Sequence, residues 1–187
     1  LYLAATDWKV DIVHCHDWTT GLVPHYLKYF KVEAKTVFTI HNLAYQGVFP
    51  PFDAIISSSR IPHSALRGPK AHENINMMAA GLIDSDFITT VSPTYMEEIR
   101  QSDMGSGLDD ILRNRKEVSR GIINGIDYNE WNPETDKDLV SNYSIENMEG
   151  KKKCKEEILK EFKIHGYDDK PLFAMISRLA DQKGFDE

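Results

Sequence analysis

His41 and Asn42 stand directly behind Thr36–Ile40 in the stretch TVFTIHNLAYQGVFP. Imidazole can hold or move a proton near neutral pH, and the neighbouring amide can both donate and accept hydrogen bonds. His16-Asp17 follows Val10–His14 (VDIVH), Ser92 follows Phe87–Val91 (FITTV), and Asn124 follows Gly121–Ile123. Arg178 and Lys183 lie five residues apart in SRLADQKG, behind Pro171–Ser177. Arginine offers a planar fork of donors and lysine a point charge, a combination suited to a diphosphate. Gly184 would let backbone approach closely, and amides at the start of a following helix would add positive potential. Two plainer readings stand beside these: a histidine satisfied within its own loop, and a solvated surface pair of cations.

Two metal readings compete. His14 and His16 alternate along a strand and so share a face, which with Asp17 would make three ligands. Against this, His14 lies in an apolar strand that a sheet covered on both faces would bury. Asp84-Ser85-Asp86 is a DxD of the kind that holds a metal and diphosphate. It precedes Phe87–Val91, however, at the opposite end from the other groups, where a loop that caps a helix and opens a strand accounts for it. The expected metal set is none.

The elements that must position these groups are legible as short apolar runs and amphipathic stretches. Val10–His14, then a helix over Thr20–Phe30 with Leu22, Tyr26, Leu27 and Phe30 on one face, then Thr36–Ile40, make a βαβ unit with parallel strands. Residues 48–70 read as a loop-rich excursion with one short helix. Helices are expected over Glu73–Ile83, from Ser92 as N-cap with Pro93 in the first turn, and over Leu108–Arg115. Phe87–Val91 and Gly121–Ile123 are the next strands. Lys151–Phe162 reads as an amphipathic helix, with Cys154, Ile158, Leu159 and Phe162 as its buried stripe. Lys152/Glu156 and Lys153/Glu157 are spaced in it as i,i+4 pairs. Pro171–Ser177 reads as a further strand. In an open α/β sheet, ligands bind outside the carboxyl ends of the strands, and His16-Asp17, His41-Asn42, Ser92, Asn124, Arg178 and Lys183 all follow strands.

Composition narrows the partners. The 187 residues carry 29 acidic and 22 basic side chains, a net charge of −7, which argues against nucleic acid or an anionic membrane. The two cysteines, Cys15 and Cys154, form no CxxC pair, so a reducing compartment is the expectation. No apolar run approaches the roughly 20 residues of a membrane span. The sequence opens on Leu1 rather than Met and stops just past a loop, which reads as an internal piece of a longer polypeptide.

HCHDWTTGLVPHYL, TIHNLAYQG, TTVSPTYMEEI, GIINGIDYNEWNP and SRLADQKG, in this order, resemble the bacterial glycogen synthase and plant starch synthase family. The resemblance covers essentially the whole chain. It implies an α/β fold: a Rossmann-like doubly wound parallel sheet that is part of a two-domain GT-B glycosyltransferase. Residues 1–124 would be the later part of the first domain, 125–133 the connection, and 134–187 the start of the second domain. The implied reaction is transfer of glucose from ADP-glucose, or UDP-glucose in some members, to the non-reducing end of an α-1,4-glucan. Configuration would be retained, without metal or other cofactor. Matched by motif, Arg178 and Lys183 would hold the diphosphate, and His41 would lie against the donor glucose. Asp17 and Asn42, beside His16, would line the sugar subsite, and Asn124 would approach the donor or the glucan end. The family's glycine-rich lysine loop and its paired glutamates would lie outside this stretch, so the fragment by itself is expected to be inactive. A sucrose synthase-like transferase and a non-catalytic glucan-binding piece are the alternatives. The implied compartment is bacterial cytoplasm or a plastid.

Overall fold

The computed structural model describes residues 3–50, 74–166, 169–180 and 183–185. The chain divides into two compact units, Leu1–Asn124 and Gly125–Glu187.

Among the described residues, the first unit is built on four parallel strands: β1 (Ile12–His16), β2 (Lys35–Ile40), β5 (Phe87–Thr90) and β6 (Ser119–Gly121), side by side in the order β1-β2-β5-β6. Parallel neighbours need crossover connections, and helices supply them. They are α1 (Val23–Tyr29), α2 (Met77–Asp84), α3 (Pro93–Glu98) and α4 (Asp109–Asn114). Register places Cys15, Phe38, Ile88 and Ser119 in one row. Cys15, Phe38, Ile40 and Ile88 pack with Met78, Ala79 and Leu82 of α2, Met96 of α3, and Ile111 and Leu112 of α4 as one core. A β-carbon on Gly81 would lie 2.3 Å from the Phe38 ring, so glycine there lets α2 settle on the sheet.

Local chemistry sets the helix starts. Ser92 accepts from Tyr95 N at 3.2 Å with Pro93 in the first turn, as the sequence indicates. The helix expected over Thr20–Phe30 begins later, because Trp18–Thr20 forms a 3-10 turn and Pro24 opens α1. The helix expected from Glu73 begins at Met77. Ile75–Asn76 is instead a short strand, β4, antiparallel to β3 (Val48–Phe49), and Asn76 Oδ1 caps Ala79 N at 2.9 Å. The rest of the loop-rich excursion with its short helix, and Glu73 itself, lie outside the described residues. The fourth parallel strand is Ser119–Gly121, two residues earlier than Gly121–Ile123; Ile122 N still donates to Thr90 O at 2.8 Å.

His14 is exposed, contrary to its expected burial. β1 is an edge strand among the described residues, and His14 and His16 point to the sheet face away from the core.

The second unit holds α5 (Glu149–Glu161) after a series of turns. Leu159 is buried, but Ile158 and Phe162 are exposed, so the expected four-residue stripe is reduced to its centre. The expected i,i+4 ion pairs are replaced by i,i+3 pairs, Lys152–Glu149 at 3.1 Å and Lys160–Glu157 at 3.5 Å. Pro171–Ser177 is not a strand: Phe173 is 90% exposed and Ile176 fully so. A strand is completed by a hydrogen-bonding neighbour, and the described residues of this unit present none. No helix among the described residues is long and apolar enough to cross a membrane.

Candidate functional site

Parallel strands bring the carboxyl ends of β1, β2, β5 and β6 to one edge of the first unit. Asp17 N donates to Thr39 O at 3.0 Å, carrying the β1–β2 ladder one step beyond His16. Thr20 closes the β1 end: its hydroxyl accepts from His16 N at 2.7 Å and donates to His16 O at 2.8 Å.

The chain then turns sharply at Asp17, with φ 53° and ψ −175°. That conformation is almost exclusive to glycine and costs about 1–3 kcal/mol for other residues. It puts the carboxylate under the end of β2, where Oδ1 accepts from His41 N at 2.8 Å and from Asn42 N at 3.4 Å. His16 Nδ1 lies 3.0 Å from His41 Nε2, a contact in which one ring donates and the other accepts. His16, Asp17, His41 and Asn42 therefore form one group, although 24 residues of chain separate Asp17 from His41.

Two further layers support it. His14 Nε2 lies 2.6 Å from Thr39 Oγ1, which in turn lies 2.5 Å from Thr89 Oγ1. Partial burial of the ring, then the charge His16 and His41 would carry, hold the His14 pKa below the ordinary imidazole value and favour its neutral form. On the other side, Leu43 N donates to the Tyr95 hydroxyl at 3.0 Å, and Ala44 N to Asn42 Oδ1 at 3.0 Å. Gln46 Oε1 accepts from Asn76 Nδ2 at 2.6 Å, while Gln46 Nε2 donates to Ser106 O at 2.9 Å. Gly47, at φ 62°, lies where a β-carbon would sit 2.2 Å from the Trp18 indole. The loop after β2 is thus fastened to β1, α2 and α3 together.

The remaining candidates are placed differently. Ser92 is taken up as the cap of α3. Asn124 is exposed, three residues past β6 on the same edge of the sheet. Arg178 and Lys183 are exposed in the second unit, where Lys183 N closes a turn on Ala180 O at 2.8 Å. The DxD pair is structural. Asp84 binds His25 Nδ1 at 2.8 Å and Lys28 at 3.3 Å, and Asp86 accepts from Thr36 N at 2.8 Å and Thr36 Oγ1 at 2.9 Å. Sequence reading did not single out Tyr95, three residues past Ser92; its hydroxyl was the available signal. It also missed Thr39 and Thr89, which read only as strand formers.

Comparison with known proteins agrees with this architecture. The family model for the starch synthase catalytic domain matches residues 1–114. The chain is 48% identical over 191 residues to a glycogen synthase of Pseudothermotoga lettingae, covering 99% of this chain and 39% of that protein. It is 46% identical over 186 residues to a glycogen synthase of Myxococcus xanthus, covering 94% and 38%. Among solved structures, the catalytic domain of starch synthase IV from Arabidopsis thaliana, bound to ADP and acarbose, superposes with a TM-score of 0.72 at 32% identity. That match covers 86% of this chain and 34% of the other. The chain thus spans about two fifths of the length of the curated relatives it matches. With a Rossmann-like parallel sheet and a family match over most of its first unit, the chain belongs to the starch synthase catalytic domain family.

Proposed function

We propose that the whole protein transfers glucose from a nucleotide sugar, ADP-glucose or UDP-glucose, to the non-reducing end of an α-1,4-glucan with retention. The observation that carries this reading is the clamp of Asp17 on the backbone of His41 and Asn42, which holds an imidazole and an amide at the carboxyl edge of a parallel sheet. Family membership and the ADP and acarbose named for the Arabidopsis structure support the choice of donor and acceptor.

In this reading His41 lies against the donor glucose. Its backbone carbonyl faces the positive charge that develops at the anomeric carbon as the bond to the diphosphate breaks. His16, Asp17 and Asn42 line the sugar subsite, and Asn124 approaches the donor or the glucan end. Asp17 works by holding the turn. Arg178 and Lys183 neutralise the charge gathering on the departing nucleotide, in keeping with fixed charges aimed at developing charge. No metal or other cofactor is assigned. The compartment is bacterial cytoplasm or a plastid.

The test is incorporation of labelled glucose into glycogen by the whole protein, offered ADP-glucose and UDP-glucose separately. Arg178→Ala or Lys183→Ala is expected to lower the rate by about two orders of magnitude. No incorporation from either donor would overturn the reading; a loss below about threefold in both variants would remove them from the diphosphate role.

A further inference from the structure

Four consecutive backbone N–H groups follow the last residue of β2, and each donates to a side chain. His41 and Asn42 donate to Asp17 Oδ1, Leu43 to the Tyr95 hydroxyl, and Ala44 to Asn42 Oδ1. A peptide unit is planar, so fixing an N–H fixes the carbonyl of the preceding residue on the opposite side. The Asn42 N–H, turned to Asp17, aims the His41 carbonyl away from that carboxylate. The Leu43 N–H, turned to Tyr95, aims the Asn42 carbonyl away from the phenol. Asn42 lies between these two fixed planes, and together they set its φ and ψ and therefore the direction in which its side chain leaves the turn.

We infer that Tyr95 is a positioning residue for sugar transfer, acting through the Asn42–Leu43 peptide; this rests on the function proposed above. Three features suit it to the task. It is anchored at both ends of its span: its N–H is capped by Ser92, and its ring packs against the core. Its hydroxyl is half-buried, and burial first, with the neighbouring charges of Asp17 and Glu98, raises its pKa despite the Leu43 bond, so it remains a neutral phenol. Its target, Leu43, is 1% exposed, so water offers no ready substitute acceptor for that N–H. α3 thereby reports to the tip of β2 across 52 residues of sequence.

Tyr95→Phe removes the acceptor and keeps the ring. In the 187-residue chain, the Leu43 amide should exchange with solvent at least about tenfold faster, while Phe38 in the middle of β2 keeps its rate. In the whole protein, kcat should fall about tenfold or more, with KM for the nucleotide sugar changed by less than about threefold. In an Asn42→Ala background the same substitution should cost under about twofold, because its route is already cut. Tyr143→Phe, which alters a phenol on Lys151 in the second unit, should leave both readouts unchanged. Unaltered Leu43 exchange, unaltered kcat, or an equal loss in the Asn42→Ala background would overturn the inference. If the unmodified whole protein transfers no glucose, the proposed function fails, and the exchange measurement still decides whether Tyr95 sets the turn.

Discussion

Replacing Asp17 separates two quantities that the structure ties together: the strain of its backbone and the hold of its carboxylate. The residue sits at φ 53° and ψ −175°, at a cost of about 1–3 kcal/mol. Its carboxylate returns about 2 kcal/mol through the 2.8 Å charge-assisted bond to His41 N, while the longer 3.4 Å bond to Asn42 N orients that peptide and adds little energy. Asp17→Ala loses the bond and keeps the strain, so the first unit should lose about 2 kcal/mol. Asp17→Gly loses the bond but relieves the strain; after the extra chain entropy of glycine, about 0.5–1 kcal/mol, it should unfold within about 1 kcal/mol of wild type. Asp17→Asn keeps a neutral acceptor and should lose about 1 kcal/mol. Urea denaturation followed by circular dichroism gives these differences. Transfer by the whole protein should not follow the same order. The Gly and Ala variants both release His41, so both should lose about a hundredfold in rate, the scale on which misplacement by an ångström acts. If Ala and Gly are equally stable, the strain is not real; if Gly keeps full activity, the clamp does not position His41.

Gly47→Ala should destabilise the first unit by about 3 kcal/mol, from positive φ and from a β-carbon 2.2 Å from Trp18, and a shifted Trp emission maximum should accompany the loss. Unchanged emission and stability would contradict the contact. Cys15 is 1% exposed and burial pushes its thiol up to about 11, so at pH 8 only about one molecule in a thousand carries the thiolate. A thiol reagent should therefore modify the half-buried Cys154 in the native chain and reach Cys15 only in denaturant; rapid reaction of both would count against the core as described. Burial opposes ionisation of Asp86, but hydrogen bonds from Thr36 and Lys35 outweigh it and leave the carboxyl below its usual range. Its folded pKa lies below the unfolded one, so its stabilisation is full above about pH 4 and disappears as pH falls through the folded value. The stability gap between wild type and Asp86→Asn should be constant near neutrality and close in acid; a gap independent of pH would refute the linkage.

Much of the scaffold was legible without coordinates. β2 and β5 declare themselves because β-branched and aromatic runs fit a pleated, buried surface, and Ser92-Pro93 declares a helix start because a hydroxyl and a missing N–H both suit the first turn. The residues behind those strands were legible as candidates for the same reason: parallel strands send their carboxyl ends one way. What those residues do to each other was not. Asp17 meets His41 through a backbone bend that no neighbouring residue type dictates, and Tyr95 reaches Leu43 from a helix whose start the sequence marks but whose distant contacts it does not. Pro171–Ser177 has strand composition and no strand, Ile75–Asn76 has helical context and pairs with Val48–Phe49, and His14 lies on a strand that is an edge among the described residues. Periodicity and residue type determine which face is apolar and where a helix can begin, because those are properties of adjacent residues. Pairing, edge position and the acceptor each N–H finds depend on partners distant in the chain, and only packing decides them.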